Sequence, residues 1–262
     1  MARGNKSILS PFIFVLLIVL VALYVFYKFP VKNDTLSIGK TTKEKLVSVV
    51  KEVLQENPEM IISSLEVYQQ KKMKEMETKF KETMQSKKDE LQNSSTSPYI
   101  GNANGDITIV EFFDYNCKYC KSVNKVLEQL LESDKNVKVV FKELPVLGAK
   151  SQTVAEAALA VYFIDKSKFL DFHNTLMYND NIDEQFINQL AQNMSIDTKQ
   201  LEDTMKGNAV ADELNKVREL ASKIGIRGTP AFVIEDELIP GAIDIGVLKQ
   251  KIADIRAKKA QK

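Results

Sequence analysis

The chain has 262 residues and a formal net charge of +1, with 36 Lys and Arg against 35 Asp and Glu, so it has no broad electrostatic footprint for nucleic acid. Two cysteines, one histidine and no tryptophan make three Cys or His ligands in all, fewer than the four a structural zinc site usually takes. Lys121 follows Cys120, which excludes haem attachment through CxxCH.

Ile8–Tyr27 (ILSPFIFVLLIVLVALYVFY) is uncharged over 20 residues. As a helix rising about 1.5 Å per residue it spans roughly 30 Å, one hydrocarbon core. Arg3 and Lys6 precede it, and Tyr24, Tyr27 and Lys28 stand where an interface belt lies. A cleaved signal peptide has a shorter apolar region ending in small residues, whereas Tyr24, Phe26 and Tyr27 occupy those places. Residues 1–28 are therefore expected to be an uncleaved anchor with the short basic end inside. Either reading exports the remainder.

Residues 29–40 are a short polar linker. Residues 41–92 hold no Gly and one Pro and are dense in Lys, Glu, Gln and Met, which predicts helix. Thr41 or Thr42 suits the cap. Leu46, Val49, Val50, Val53 and Leu54 form an apolar face, and Asn57-Pro58 breaks it. Pro58 suits the first turn of a second helix carrying Ile61, Ile62 and Leu65, continued by Met73, Met76 and Phe80. So thin a stripe among charges cannot bury itself. Residues 29–95 are read as a helical stalk that pairs with copies of itself; a solvated spacer is the plainer alternative. NSSTSP (93–98) is a linker, and the catalytic domain, 96–262, begins there.

Ile107–Tyr115 (ITIVEFFDY) reads as a strand buried on both faces. Asn116-Cys117-Lys118-Tyr119-Cys120 follows, then an amphipathic helix with Val123, Val126, Leu127 and Leu130 inward, then a second strand, VKVVFKEL (137–144). A CxxC that opens the helix of a βαβ unit is a redox signature. Unpaired N–H groups and the positive end of the helix dipole favour a thiolate at Cys117. Cys117 is then the nucleophile and Cys120, one turn later, the resolving thiol. A static disulfide is the competing reading, but so short a loop adds little stability. Glu111, charged within an apolar strand, is either an edge residue facing water or a buried acid of raised pKa that takes the Cys120 proton. Lys142 and Glu143 are candidates for the same buried charge set.

Gly225-Ile226-Arg227-Gly228-Thr229-Pro230 leads into a short strand, AFVIED. Proline is tolerated at a strand start. A cis Thr229–Pro230 bond would aim the Thr229 backbone at an extended client; a trans turn is the alternative. His173 is expected to be a structural helix residue.

SPYIGNANGDITIVEFFDYNCKYCK, FKELPVLG and GIRGTPAFVIEDELIPGAID together resemble the DsbA-like family of bacterial thiol–disulfide oxidoreductases, over residues 97–257. EVLQENPEMIISSLEVYQQKK resembles the amino-terminal extension of its suppressor-of-copper-sensitivity C branch. The resemblance implies an α/β thioredoxin-like fold with a helical insertion, residues 151–222, which would follow the transmembrane helix and stalk read from the residues above. It implies Cys117 as nucleophile, Cys120 as resolving thiol, Glu111 as buried acid and Pro230, after Thr229, as cis-proline, with no cofactor beyond the redox-active disulfide. It implies a trimer or dimer through residues 41–92 at the bacterial inner membrane, the catalytic domain in the periplasm. It implies cysteine-containing exported proteins as clients and a membrane redox partner that recharges the pair. Lys118-Tyr119 departs from the family's commoner dipeptides, which leaves oxidase or isomerase open. A non-catalytic Cu(I) site on the two thiolates is the alternative.

Overall fold

The computed structural model describes residues 40–261 together with Val19–Val21, Tyr24, Tyr27 and Lys28. The expected anchor and the linker before residue 40 lie for the most part outside the described residues. Among those described, no helix is long and apolar enough to cross a membrane. The chain divides into two compact units, residues 1–70 and 71–262.

In the first unit, α1 (Lys40–Glu56) and the start of α2 (Glu59–Ser86) flank the predicted break. Asn57 closes α1 by donating both its backbone N–H and its side-chain amide to the Val53 carbonyl, at 3.0 and 2.9 Å. The Pro58 carbonyl accepts from Ile61 N at 3.1 Å, so the proline stands in the opening turn of α2. No described side chain of this unit is buried. Leu46, Val47, Val50 and Ile61 are exposed, and with Leu54 they line an open apolar hollow.

β-branched and aromatic residues build the sheet of the second unit. It has five strands: β1 (Tyr99–Gly101), β2 (Ile107–Phe113), β3 (Val137–Glu143), β4 (Ala231–Ile234) and β5 (Glu237–Pro240). Their order is β1-β3-β2-β4-β5. β2 and β3 run parallel, joined by α4 (Lys118–Ser133), and every other pairing is antiparallel. Alternation along β2 and β3 divides their side chains between two cores. Ile107, Ile109, Phe113, Val139 and Phe141 meet Leu127 and Leu130 of α4 and Leu248 of α10 (Ile245–Ala260). Val110, Phe112 and Val140 meet Val217 and Leu220 of α9 (Asn208–Lys223) on the other side.

Between β3 and β4 the chain inserts α5 (Ala149–Ile164), a single 3-10 turn, α6 (Phe169–Met177), α7 (Glu184–Asn193), α8 (Thr198–Met205) and α9, matching the helical insertion expected over 151–222. Asp183 and Asp197 cap α7 and α8 by accepting from Phe186 N and Gln200 N. His173, on α6, is fully buried among the rings of Phe113, Tyr115, Phe141 and Phe169, a packing residue as its sequence context suggested.

The end of the stalk segment belongs to this unit. Met84, near the end of α2, and Leu91, on α3 (Lys88–Gln92), are buried in the second core. The NSSTSP stretch is fastened rather than free. Lys142 Nζ donates to the Glu90 carbonyl at 2.8 Å and to Ser97 Oγ at 2.7 Å, and Ser97 Oγ donates to Glu213 Oε1 at 2.6 Å. Thr96 bonds the same carboxylate, and Phe141 N donates to the Pro98 carbonyl at 2.8 Å. Burial lowers the Lys142 pKa.

Candidate active site

β2 ends at Phe113, and Asp114–Cys117 turns the chain into α4. The turn is braced from within. Cys117 N donates to the Asp114 carbonyl at 3.0 Å. The buried Asp114 carboxylate accepts from Asn116 N at 2.8 Å, Val146 N at 2.9 Å and Leu147 N at 3.0 Å, which binds the β3–α5 loop to the turn. Asn116 Nδ2 donates to Ser151 Oγ at 3.0 Å. Asp114 is a site residue that sequence reasoning passed over. Its one signal was an acid directly before a CxxC turn, where a side chain commonly bonds backbone two residues on.

Cys117 is the N-cap of α4, in extended conformation, so its sulfur stands at the helix mouth. Its Sγ lies 3.4 Å from the Thr229 carbonyl, to which the thiol donates. Register explains the approach: antiparallel pairing of Phe112 with Ala231 carries Pro230 and Thr229 to the carboxyl end of β2. The Thr229–Pro230 bond is cis, and the Pro230 carbonyl accepts from Gly241 N at 2.9 Å. The chain thus brings together Cys117, Thr229 and Pro230 across more than a hundred residues. Both cysteines are free thiols.

Cys120 lies a turn deeper and is wholly buried. Burial, and after it the nearby Glu111 carboxyl, push its thiol well above the ordinary range. Glu111 points to the same side of β2 as Ile109 and Phe113, is fully buried, and neither of its oxygens has a hydrogen-bond partner among the described residues. Burial raises its pKa to about 8. β2 is the central strand of five, so the edge-strand reading of Glu111 is wrong.

The two residues grouped with Glu111 in the sequence separate, because neighbours on a strand face opposite ways. Lys142 enters the network around Ser97, with Glu213 beyond it. Glu143 falls with Phe141 on the Glu111 side, fully buried, without a side-chain hydrogen-bond partner among the described residues, and raised by burial to about 8. Tyr115 feels both carboxyls: burial first, then Glu143 and Glu111, hold its phenol protonated. Its hydroxyl bonds His173 Nδ1 at 2.9 Å, and His173 Nε2 bonds Asn124 Oδ1 at 3.3 Å. Burial drops His173 to about 3, so the ring is a neutral strut.

The arrangement offers a sulfur at a helix mouth, buried to 7% exposure, a wholly buried sulfur behind it, and a protonated carboxyl beneath the second. Three comparisons bear on it. Disulfide bond formation protein D of Bacillus subtilis (strain 168) is 27% identical over 166 residues, 59% of this chain and 75% of that protein. A thioredoxin-like oxidoreductase from Silicibacter pomeroyi DSS-3 is 37% identical, superposes with a TM-score of 0.61, and covers 64% of this chain and 97% of its own. Proteus mirabilis ScsC, in a compact conformation, is 32% identical with a TM-score of 0.62, over 82% of this chain and 98% of its own. The model of the DSBA-like thioredoxin domain matches residues 108–253, more than half of the sequence, and the chain belongs to that family.

Proposed function

We propose that the protein forms or reshuffles disulfides in exported proteins, with Cys117 as nucleophile and Cys120 as resolving thiol. The observation that carries the reading is Cys117 Sγ at the mouth of α4, 3.4 Å from the Thr229 carbonyl, with Glu111 near Cys120. In the oxidising direction a client thiolate attacks Cys117 Sγ of the Cys117–Cys120 disulfide. A client–Cys117 bond forms, the Cys117–Cys120 bond breaks, and Cys120 leaves with the electron pair. Glu111, protonated at neutral pH, supplies the proton that makes Cys120 a thiol. A second client thiolate attacks the client sulfur, and Cys117 leaves as a thiolate. The client loses two electrons, the pair gains them, and a membrane redox partner removes them. In isomerisation, reduced Cys117 attacks a wrong disulfide and no net oxidation occurs. The cis Thr229–Pro230 segment receives the client backbone.

The chain is further proposed to sit in the bacterial inner membrane by residues 1–28, its catalytic unit in the periplasm, and to assemble as a trimer or dimer through residues 41–92. The exposed apolar faces of α1 and α2 support the assembly. The redox-active disulfide is the redox group proposed for it. The Cu(I) reading is weaker, since a two-thiolate site needs Cys120 ionised and burial beside Glu111 opposes that.

Multiple-turnover disulfide exchange on a reduced or scrambled client tests the core claim. Cys117→Ala abolishes turnover, and Cys120→Ala accumulates a client–Cys117 mixed disulfide. Undiminished turnover by Cys117→Ala overturns the reading. A potential near about −120 mV assigns an oxidase and one near about −270 mV a reductant-like role.

A further inference from the structure

Three stretches of chain meet at the turn that carries Cys117. The first is the turn itself, residues 114–120. The second is 144–151, held by the Asp114 carboxylate through Val146 N and Leu147 N and by Ser151 Oγ through Asn116. The third is 225–230, whose Thr229 carbonyl touches Cys117 Sγ. Their charges are lopsided. Lys118, Lys150 and Arg227 are exposed, one on each stretch, and none has a hydrogen bond or ion pair among the described residues. The one carboxylate on these stretches is Asp114, buried and committed to three backbone N–H groups. Over the whole chain acids and bases nearly cancel, so the imbalance is local to the catalytic face. Tyr119, Val146 and Leu147 stand exposed on the same stretches and offer apolar contact.

We infer that this face selects client cysteines flanked by carboxylates. The inference rests on the oxidoreductase reading and narrows its substrate class. Lys118 is adjacent to the nucleophile, Arg227 is two residues before Thr229, and Lys150 precedes the serine that holds Asn116. A segment laid against Thr229 with its cysteine at Cys117 thus lies against stretches that carry three cations, unpaired among the described residues. Carboxylates beside a client cysteine disfavour its thiolate, and the three cations offset that penalty once the segment is docked. They also steer acidic segments in encounter, an effect that fades with salt.

The test uses the full chain in detergent micelles, oxidised, with peptides of one sequence whose single cysteine is flanked by Asp, Asn or Lys. The second-order rate of mixed-disulfide formation is read at low and at roughly 1 M salt, where screening leaves about 3 Å of reach. The expected result at low salt is Asp over Asn over Lys, with Asp ahead of Asn by on the order of tenfold, and convergence at high salt. A Lys150→Glu/Arg227→Glu double variant inverts the order while keeping the wild-type rate on the Asn peptide at high salt. Equal rates at low salt, or the Lys peptide fastest, overturn the inference while leaving the oxidoreductase intact. So does loss of anionic-vesicle binding in the double variant with no change in peptide order, which assigns the cations to a lipid surface. No exchange with any peptide sinks the oxidoreductase reading itself, a distinguishable result.

Discussion

Glu111 and Glu143 are two buried acids whose carboxyl oxygens have no hydrogen-bond partner among the described residues, and pH exposes the consequence. Each keeps its proton to about pH 8 in the folded chain, against 4.5 for an ordinary glutamate. Between those values the unfolded chain binds fewer protons than the folded one. The contribution of these two acids to stability is therefore greatest below about 4.5 and is lost as pH rises through about 8. Glu111→Gln with Glu143→Gln should stabilise the reduced protein at pH 9 by on the order of a few kcal/mol per site, and far less at pH 4.5. Urea denaturation at the two values checks this, and a gain independent of pH would contradict it. Asp114 carries the opposite kind of burden, since its carboxylate answers three N–H groups. Asp114→Ala should cost about 2–3 kcal/mol and speed amide exchange at Val146 and Leu147.

At the scale of elements, the segment after α3 behaves unlike its composition. Asn, Ser and Thr in a run read as a loose linker, yet Lys142 and Glu213 reach it from β3 and α9. Lys142→Met keeps the apolar stem and removes the donor to Glu90 and Ser97. The expected outcome is a loss of about 2 kcal/mol and faster hydrogen exchange over 93–98. Unchanged exchange there would show that the Pro98 pairing to Phe141 suffices. The stalk break, by contrast, was legible, because proline acts on its own backbone and its predecessor's without help from the rest of the chain.

For the whole molecule, the unit boundary between Gln70 and Lys71 predicts where the chain can be cut. Removing residues 1–70 leaves Met84 and Leu91 in place and should leave a folded, exchange-competent unit. Removing residues 1–95 strips both from the second core and should cost more than about 4 kcal/mol, read by thermal and chemical unfolding. Equal stability of the two truncations would refute the packing argument. Leu46→Glu with Val50→Glu, on the exposed face of α1, should reduce the proposed oligomer to monomer in sedimentation while leaving single-site thiol exchange in place.

Residue order alone determined the strand before Cys117, the helix after it, the CxxC at their junction and the proline break. Each is a local matter of periodicity, turn chemistry and spacing. The tertiary structure decided which way each strand residue faces and what it meets there. Glu111 is a buried acid rather than a wet edge because β2 is central, and Glu143 parts from Lys142 because one pleat turns them to opposite cores. The approach of Thr229 to Cys117, the hold of Asp114 on Val146 and Leu147, and the burial of Met84 likewise arise between residues far apart in the chain. Periodicity within one segment carries no record of the partner that packing brings to it.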